Sequence, residues 1–249
     1  MVDISVGTTA RRPLLALRDV RFRWRKGLPF CLDVPRFELG AAESVFLHGP
    51  SGSGKSTLLG LLGGVLVADE GDIEMNIGGV PHELGALTGA QRDRLRVDHV
   101  GFVFQQFNLI PYLSVVENVL LPCRFSKVRR EKAGESPEKQ ARLLLRGLDL
   151  DDALVDRRAT ELSVGQQQRV AAARALIGKP SLLIADEPTS ALDAHRQERF
   201  LELLASECRA SGTALVFVSH DDRLAGHFQR KVALESLNRA ALEAERSVA

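Results

Sequence analysis

Two kinds of apolar pattern along the chain predict an α/β protein. In the first third, apolar side chains alternate with polar ones, which is typical of strands with one buried face. Further along, short uninterrupted apolar runs stop at a polar residue, which is typical of strands buried on both faces. The strand at 73–77 is expected at a sheet edge, after a turn at 69–72. The predicted strands are residues 14–24, 30–39, 45–48, 73–77, 100–104, 181–186 and 215–218.

Apolar residues spaced three and four apart, together with end signals, predict the helices. One helix follows residues 49–57 and is expected to end near Ala68. Another begins after Ser114, which forms a capping box with Glu117, and is expected to end at Pro122. The remaining predictions are a charged, solvated helix face at 91–96, helices at 140–150, 164–177 and 194–210, and a frayed helix from Asn238.

The order of these elements predicts one domain, residues 14–249, with a subdomain inside it. Antiparallel strands and one strand–loop–helix unit fill the first third of the chain. Residues 106–161 are rich in charge and in leucines at helical spacing, and they predict a helical subdomain inserted in an α/β core. The core then comprises residues 14–105 and 162–235, and residues 1–13 are expected to form a flexible leader.

Composition argues for a soluble globular protein and against nucleic acid as its partner. The 249 residues carry 33 Lys+Arg and 32 Asp+Glu, and a net charge of +1 creates no strong field for DNA or RNA. The 3 cysteines are far apart in sequence, which is typical of reduced cytosolic thiols. No segment has the apolar length of a signal peptide or a membrane span, so work at a membrane would require another chain to cross it.

The stretch between the third predicted strand and its helix fits G-x-x-x-x-G-K-[ST], a loop that binds the phosphates of a nucleoside triphosphate. Its glycines let consecutive N–H groups point into one concavity, and the following helix adds positive charge at its N-terminus. Lys55 supplies a full charge, and the Ser56 hydroxyl is suited to ligate Mg²⁺. The alternative is a chance glycine-rich turn, which the flanking strand and helix disfavour. The motif consists of Gly49, Pro50, Ser51, Gly52, Ser53, Gly54, Lys55, Ser56 and Thr57.

Four predicted strands stop at polar residues that would meet at one edge of a sheet. Ligands of open parallel sheets bind at the carboxyl ends of the strands. The ends at Gly49, Gln105, Asp186 and His220 would therefore gather around one phosphate. Asp186 is suited to hold the Mg²⁺ shell, and Glu187 to orient or deprotonate the attacking water. The alternative for this acidic pair is a cap on the next helix, which the neighbouring phosphate loop disfavours.

A second motif narrows the class of enzyme. Residues 162–169 read Leu-Ser-Val-Gly-Gln-Gln-Gln-Arg and resemble the Leu-Ser-Gly-Gly-Gln signature of ATP-binding-cassette (ABC) ATPases. The resemblance extends along most of the chain. Trp24 resembles the aromatic residue that stacks on adenine, and Gln105 matches the Q-loop glutamine. Residues 190–193 match the D-loop, and His220 matches the switch histidine.

The resemblance implies a P-loop NTPase with a RecA-like core, an antiparallel β subdomain and an inserted α-helical subdomain. It also implies a head-to-tail homodimer with ATP and Mg²⁺ bound at the interface. The implied catalytic residues are Glu187 as base, His220 for the γ-phosphate and water, and Gln105 as sensor. The implied metal ligands are Ser56, Gln105 and Asp186. The implied ATP-binding residues are Trp24, Gly49, Pro50, Ser51, Gly52, Ser53, Gly54, Lys55, Ser56, Thr57, Ser163, Gly165, Gln166 and Asp193.

The signature departs from the family pattern at Val164, where the family has glycine. A β-branched residue resists a positive φ. The N–H group of Val164 remains available, and Gly165, the glycine of closest approach in the family, is intact. We therefore expect ATPase activity to survive.

Residues 101–119 resemble the lipoprotein-release and macrolide-exporter branch of the family. This resemblance implies a separate transmembrane permease, FtsX/MacB-like, that spans the bilayer four times and carries a large periplasmic domain. The chain itself would be cytoplasmic and peripheral on the inner face of the cell membrane through that permease. The apolar loop Phe107–Leu113 is expected to face the permease, the alternative being a core loop of the helical subdomain.

Three other functions compete with this interpretation. The first is the ATPase of a solute or metal-ion uptake transporter, which the topology of the permease would distinguish. The second is a soluble ABC protein that acts on ribosomes or DNA, but such proteins usually carry two cassettes or a long coiled coil. The third is a nucleotide-gated binding module without turnover, against which Glu187 and His220 argue.

Overall fold

The computed structural model of the protein describes residues 12–190 and 192–240. Within these ranges, the strands form one parallel and one antiparallel sheet. The leader predicted at residues 1–13 lies outside the described residues except for its last two positions. Most of the tail predicted as a frayed helix from Asn238 also lies outside them.

A five-stranded parallel sheet carries the strand ends that were predicted to meet. Side chains of its inner strands alternate between two apolar cores: Phe46 and Phe217 face one, and Val45 and Val216 face the other. This burial on both faces explains the uninterrupted apolar runs. The four predicted strands of this sheet are confirmed, whereas the last strand was missed because its sequence, Arg-Lys-Val-Ala, carries no apolar run. In spatial order the strands are β6 (Val100–Val103), β7 (Leu182–Asp186), β8 (Ala214–Val218), β3 (Ser44–His48) and β9 (Arg230–Ala233).

A four-stranded antiparallel sheet packs over one of the two cores. The turn predicted at 69–72 is wrong, because the strand begins at Glu70. Gly71, with φ 81°, makes this possible, since a Cβ there would lie 2.2 Å from the Asp19 carbonyl oxygen. The edge position is also wrong, because an unpredicted fourth strand pairs beyond this one. In spatial order the strands are β2 (Leu32–Leu39), β1 (Leu15–Phe22), β4 (Glu70–Ile77) and β5 (Val80–Glu83).

The helix after the phosphate loop is shorter than predicted. Helix α1 (Lys55–Leu62) ends at a glycine pair instead of continuing to Ala68. A Cβ on Gly63 would lie 2.3 Å from the Phe102 ring, and Gly64 has the left-handed φ of 67° that is common after helix ends. The length of the apolar run therefore overestimated the length of the helix.

The chain between β5 and the signature motif is largely helical. The charged run predicted as a solvated face lies on α2 (Gly89–His99), which buries Leu95 and Asp98. The capping box of Ser114 and Glu117 is confirmed, but Pro122 lies inside its helix, which ends near Ser126. Proline there removes one donor but leaves its own carbonyl to accept from the Ser126 N–H at 2.9 Å. The helices are α3 (Val115–Phe125), α4 (Lys127–Lys132) and α5 (Pro137–Gly147).

The remaining helices return to the α/β core. The two long ones confirm the predicted helices at 164–177 and 194–210 to within a residue or two. Gly212, with φ 69°, ends the second of them as expected. A short helix follows β9 directly and was not predicted. These helices are α6 (Val164–Leu176), α7 (Ala194–Ser211) and α8 (Leu234–Leu237).

Candidate functional site

The carboxyl ends of four parallel strands surround an open cleft of about 520 Å³. The strand ends predicted to meet do meet here, because β3, β6, β7 and β8 run in the same direction. Ser190 also lines this cleft, although it was predicted only as part of the D-loop and not as a site residue. Its position three residues after Glu187 is the feature of the sequence that could have identified it. The lining residues are Gly49, Pro50, Ser51, Gly52, Gly54, Lys55, Ser56, Thr57, Gln105, Asp186, Glu187, Ser190 and His220.

The loop between β3 and α1 forms one wall of the cleft. Gly52 and Gly54 have φ values of 79° and 101°, which are open to glycine but costly for other residues. Lys55 folds back over the loop and donates from Nζ to the carbonyl oxygens of Gly49 at 2.7 Å and Pro50 at 2.8 Å. The loop thus presents a helix N-terminus and a lysine ammonium group to the same space, which suits a polyanion.

Ser56 and Asp186 face each other across the floor of the cleft. The Ser56 hydroxyl donates to Asp186 Oδ2 at 3.2 Å. Burial raises the pKa of the Asp186 carboxyl, and the Ser56 hydrogen bond and the Lys55 charge oppose that shift. Two oxygen ligands on neighbouring elements therefore point at one position, and oxygen ligands are those that Mg²⁺ prefers.

Glu187 and His220 form a second polar pair at the ends of β7 and β8. His220 Nδ1 lies 2.9 Å from Glu187 Oε2. Glu187 has a left-handed φ of 48°, which is uncommon for a residue other than glycine. The Glu187 N–H donates to the Val218 carbonyl at 3.0 Å, and this bond holds the backbone in that conformation. Strain of this kind is often found at functional sites.

Gln105 lines the cleft at the end of β6, where the chain leaves the sheet in a constrained loop. Two and three residues further on, Phe107 and Asn108 have left-handed φ values of 55° and 50°. Arg174 holds both of their carbonyl oxygens, at 2.5 Å and 2.7 Å. Burial lowers the pKa of the Arg174 guanidinium, and these two acceptors satisfy its donors inside the protein.

The side chains of Trp24 and Ser53, which were predicted to bind ATP, do not line the phosphate-loop cleft. Trp24 is 62% exposed, with its ring edge-to-face against Phe22 at 5.2 Å, and it is outside the described lining of the cleft. Ser53 turns its hydroxyl inward, where Oγ is buried and finds no hydrogen-bond partner among the described residues. The flat exposed ring of Trp24 remains available to stack on a ligand, whereas the Ser53 hydroxyl does not face the cleft.

The signature residues lie on a separate surface of the chain. Ser163 caps α6 and forms a capping box with Gln166, in which the Ser163 N–H donates to Gln166 Oε1 at 2.9 Å. Together with Val164 and Gly165 they line an open cleft of about 510 Å³. Within the described ranges, this signature cleft shares no lining residue with the phosphate-loop cleft.

Val164 occupies the first turn of α6, so its backbone is helical. A β-branched residue would resist a positive φ, but this position does not require one. Its β-branched side chain is compatible with that conformation, and it is exposed beside Gly165.

Asp193 caps α7 as Ser163 caps α6, because its carboxylate accepts from the Arg196 N–H at 3.0 Å. Both helix starts around the signature cleft are therefore fixed by their caps.

A parallel sheet with a glycine-rich loop, a helix N-terminus and a Ser–Asp pair at its carboxyl edge defines a phosphate-loop NTPase. The chain matches the ABC transporter family over residues 32–190. It is 37% identical over 225 residues to an ABC transporter ATP-binding protein, MJ0796, of Methanocaldococcus jannaschii, covering 89% of this chain and 93% of the relative. It is 38% identical to the lipoprotein-releasing system ATP-binding protein LolD of Nitrobacter hamburgensis, covering 90% and 94%.

A solved structure gives the same answer. The ATP-binding cassette MJ0796, in a dimeric post-hydrolysis state bound to ADP and Pi, superposes with a TM-score of 0.75 at 34% identity and covers 91% of this chain and 95% of that one. The chain therefore belongs to the ABC transporter family and is an ATP-binding, ATP-hydrolysing subunit. The predicted fold class and the predicted family are confirmed.

The raised pKa of Asp186 predicts how this site affects stability. Because the folded state binds the proton more tightly than the unfolded chain, the ionised carboxylate lowers the free energy of unfolding at neutral pH. This cost decreases as pH falls through the folded pKa and is absent below the unfolded value of about 4. We expect Asp186→Asn, without ligands, to unfold at higher urea concentration than wild type at pH 7, with a gain that shrinks toward acid pH.

Asp193→Asn is the matched control for this measurement. Asp193 is exposed, and asparagine is an equally good helix cap, so its urea midpoint should match wild type across the same pH range. An Asp186→Asn protein that is less stable than wild type at pH 7 would contradict this prediction, because the interactions of the carboxylate with Ser56 and Lys55 would then outweigh the cost of burial.

Proposed function

We propose that two copies of this chain close head to tail around ATP and drive a separate membrane permease of the lipoprotein-release or macrolide-exporter type. The observation that carries the proposal is the separation of the phosphate-loop cleft from the signature cleft. Each cleft is open to solvent, so neither encloses a triphosphate. The dimeric state of the related cassette bound to ADP and Pi supports completion by a second copy.

In this proposal, the phosphate loop Gly49–Thr57 holds the triphosphate, with Lys55 at the outer phosphates. The second copy supplies Ser163, Gly165 and Gln166, whose helix N-terminus would face the γ-phosphate. Trp24 would stack on adenine, which its exposed ring supports. Asp193 would act indirectly by fixing the start of α7 beside the signature cleft.

Mg²⁺ would be held by Ser56 and Asp186, with Gln105 at its edge. The donors fit a hard cation, since the two oxygen atoms already lie 3.2 Å apart across the cleft. Among the described residues, no group of three or more His, Cys, Asp and Glu is arranged to hold a metal ion. This suits Mg²⁺, which takes few protein ligands and completes its shell with phosphates and water. When bound, it would neutralise charge on the phosphates.

Glu187 would act as general base toward water, and His220 would position that water and the γ-phosphate. Support comes from the 2.9 Å contact of the two side chains, which keeps the carboxylate oriented at the cleft. The strained backbone of Glu187 also fits a residue held in place for chemistry. Gln105 begins the loop fixed by Arg174, so it would report the state of the cleft to the surface beyond that loop.

Replacement of the base tests this assignment. We expect Glu187→Gln to lower the rate of ATP hydrolysis by roughly 10²–10⁴, the usual contribution of a general base. The protein should then accumulate as an ATP-bound dimer, which size-exclusion chromatography with ATP detects. Glu202→Gln, an exposed glutamate on α7, is the control and should hydrolyse ATP at the wild-type rate. Undiminished hydrolysis by Glu187→Gln would remove this residue from the mechanism.

Three exposed aromatic side chains are candidates for the contact with the permease. None of the described helices is long and apolar enough to cross a bilayer. Phe104, Tyr112 and Phe125 are large, exposed apolar side chains that lie on or beside the loop after β6 and on α3. Phe104 borders a groove of about 300 Å³, stacked on Phe102 at 5.4 Å. Large aromatic side chains are enriched in protein contacts, which supports these three as candidates.

The same residues refine the predicted docking loop. Phe107 is 7% exposed and packs in the core beside the helices, so the loop does not present it to a partner. Tyr112, at 74% exposure, is the large apolar side chain of this loop that faces outward. We place the permease contact at Phe104, Tyr112 and Phe125, and with it the protein on the inner face of the membrane.

Co-purification from detergent tests the partner. A permease recovered with this chain should have four spans and a large periplasmic domain, whereas one with many spans would favour a solute-uptake transporter. Tyr112→Asp should reduce its recovery, because a charge there would be buried at the contact. Val80→Asp, at an exposed apolar residue on β5, is the control and should leave recovery unchanged. Equal losses from both variants would contradict the proposed contact.

A further inference from the structure

We infer that Asn238 is a positioning residue for ATP binding: its side chain holds the Ser53 carbonyl and so aims the adjoining N–H group of the phosphate loop into the cleft. Asn238 lies outside the region that matches the family and has no part in the motifs described above. The sequence pattern assigns it to the start of a frayed tail. In the structure it is 2% exposed.

Both the oxygen and the nitrogen of the Asn238 side-chain amide form hydrogen bonds to the backbone. Its Oδ1 accepts from the backbone N–H groups of Asp33 at 2.9 Å and Ala240 at 3.1 Å. Its Nδ2 donates to the carbonyl oxygens of Cys31 at 3.0 Å and Ser53 at 3.4 Å. One amide therefore ties together the start of β2, the phosphate loop and the end of the described chain.

The bond to Ser53 matters because of the geometry of the next peptide. The Ser53–Gly54 peptide is trans, and in a trans peptide the carbonyl and the following N–H point in opposite directions. A donor that holds the Ser53 carbonyl on the buried side thus keeps the Gly54 N–H on the other side. Gly54 lines the phosphate-loop cleft and starts α1, so this N–H belongs to the anion-binding end of the helix.

A second contact supports the loop from the same segment. Leu234 is fully buried, and a Cβ built on Gly49 would lie 3.4 Å from its Cβ. The short segment from Leu234 to Asn238 therefore lies behind the phosphate loop at both of its ends. Without a fixed support, glycines such as Gly54, at φ 101°, have many other conformations available.

This arrangement predicts an effect on binding and not on chemistry. Without the Nδ2 donor, the part-buried Ser53 carbonyl loses a partner and the peptide can rotate to find another. Part of the free energy of ATP binding is then used to order the loop, so the affinity for ATP falls. Glu187 is unchanged, so the hydrolysis of bound ATP should proceed as in wild type. The inference rests on the proposal that the phosphate loop binds the triphosphate.

The test compares variants of the full chain by ATP affinity without Mg²⁺ and by KM and kcat with it. We expect Asn238→Ala to bind ATP roughly tenfold more weakly, the effect of one hydrogen bond, with kcat within about twofold of wild type. Asn238→Leu is uncharged and close in size, and it has no donor for Ser53. It should bind ATP as weakly as Asn238→Ala.

Two controls separate positioning from stability and from the site itself. Leu237→Ala removes a partly buried side chain from the neighbouring position on α8 and leaves the Asn238 amide in place, so it should lower the unfolding midpoint and leave ATP affinity within about twofold. Lys55→Ala should abolish ATP binding; if it binds ATP normally, the phosphate-loop assignment fails instead. Wild-type affinity in Asn238→Leu, or an equal loss in Leu237→Ala, would overturn the role of Asn238. If Asn238→Ala does not fold, the comparison of Asn238→Leu with wild type decides.

Discussion

The structure depends on one physical requirement: the backbone N–H groups of a short loop must face a triphosphate while the loop's carbonyls are satisfied elsewhere. A carbonyl that loses its donor away from water costs free energy comparable to a lost hydrogen bond. The chain meets this requirement with Lys55 on the Gly49 and Pro50 carbonyls and with Asn238 on the Ser53 carbonyl. The rigid parallel sheet behind the loop then places Asp186 and Glu187 against the same space.

The division of the site between two surfaces follows from the positions of two helix N-termini. The N-terminus of α1 ends the phosphate loop, and that of α6 presents the signature. Both are suited to anions, yet they line different clefts of one chain. Because the two clefts share no lining residue within the described ranges, the proposed dimer is the arrangement that would bring both helix N-termini to one triphosphate. ATP would then hold the two copies together, which couples hydrolysis to their separation.

The sequence predicted which strand ends meet at the cleft better than it predicted the details of the fold. Strand ends at Gln105, Asp186 and His220 were predictable because buried parallel strands are apolar runs that stop where the ligand edge begins. The short strand β9 and helix α8 were not, because four-residue elements stabilised by neighbours carry no period of their own. Pro122 was wrongly predicted to end its helix. The helix continues to Ser126, which caps it and also donates a hydrogen bond to Asp98, a contact that the local sequence does not show.

The role of Asn238 could not be predicted, since its four partners lie at sequence positions 31, 33, 53 and 240. A side chain that joins distant backbone groups leaves no local pattern. Val164 shows the opposite case, in which a departure from a motif looked unfavourable until its helical backbone was known. Motifs identify the groups that contact a ligand, and tertiary structure decides which other residues hold those groups in place.

The most direct test of the central claim, that each ATP is bound by two copies of the chain, is complementation between two inactive variants. Lys55→Ala lacks the phosphate-loop lysine, and Gly165→Glu places a negative charge in the signature cleft. A mixed dimer would contain one intact site, made from the phosphate loop of one variant and the signature of the other. We expect the mixture to regain ATP hydrolysis that neither variant has alone. A mixture that forms mixed dimers yet stays inactive would contradict the shared site.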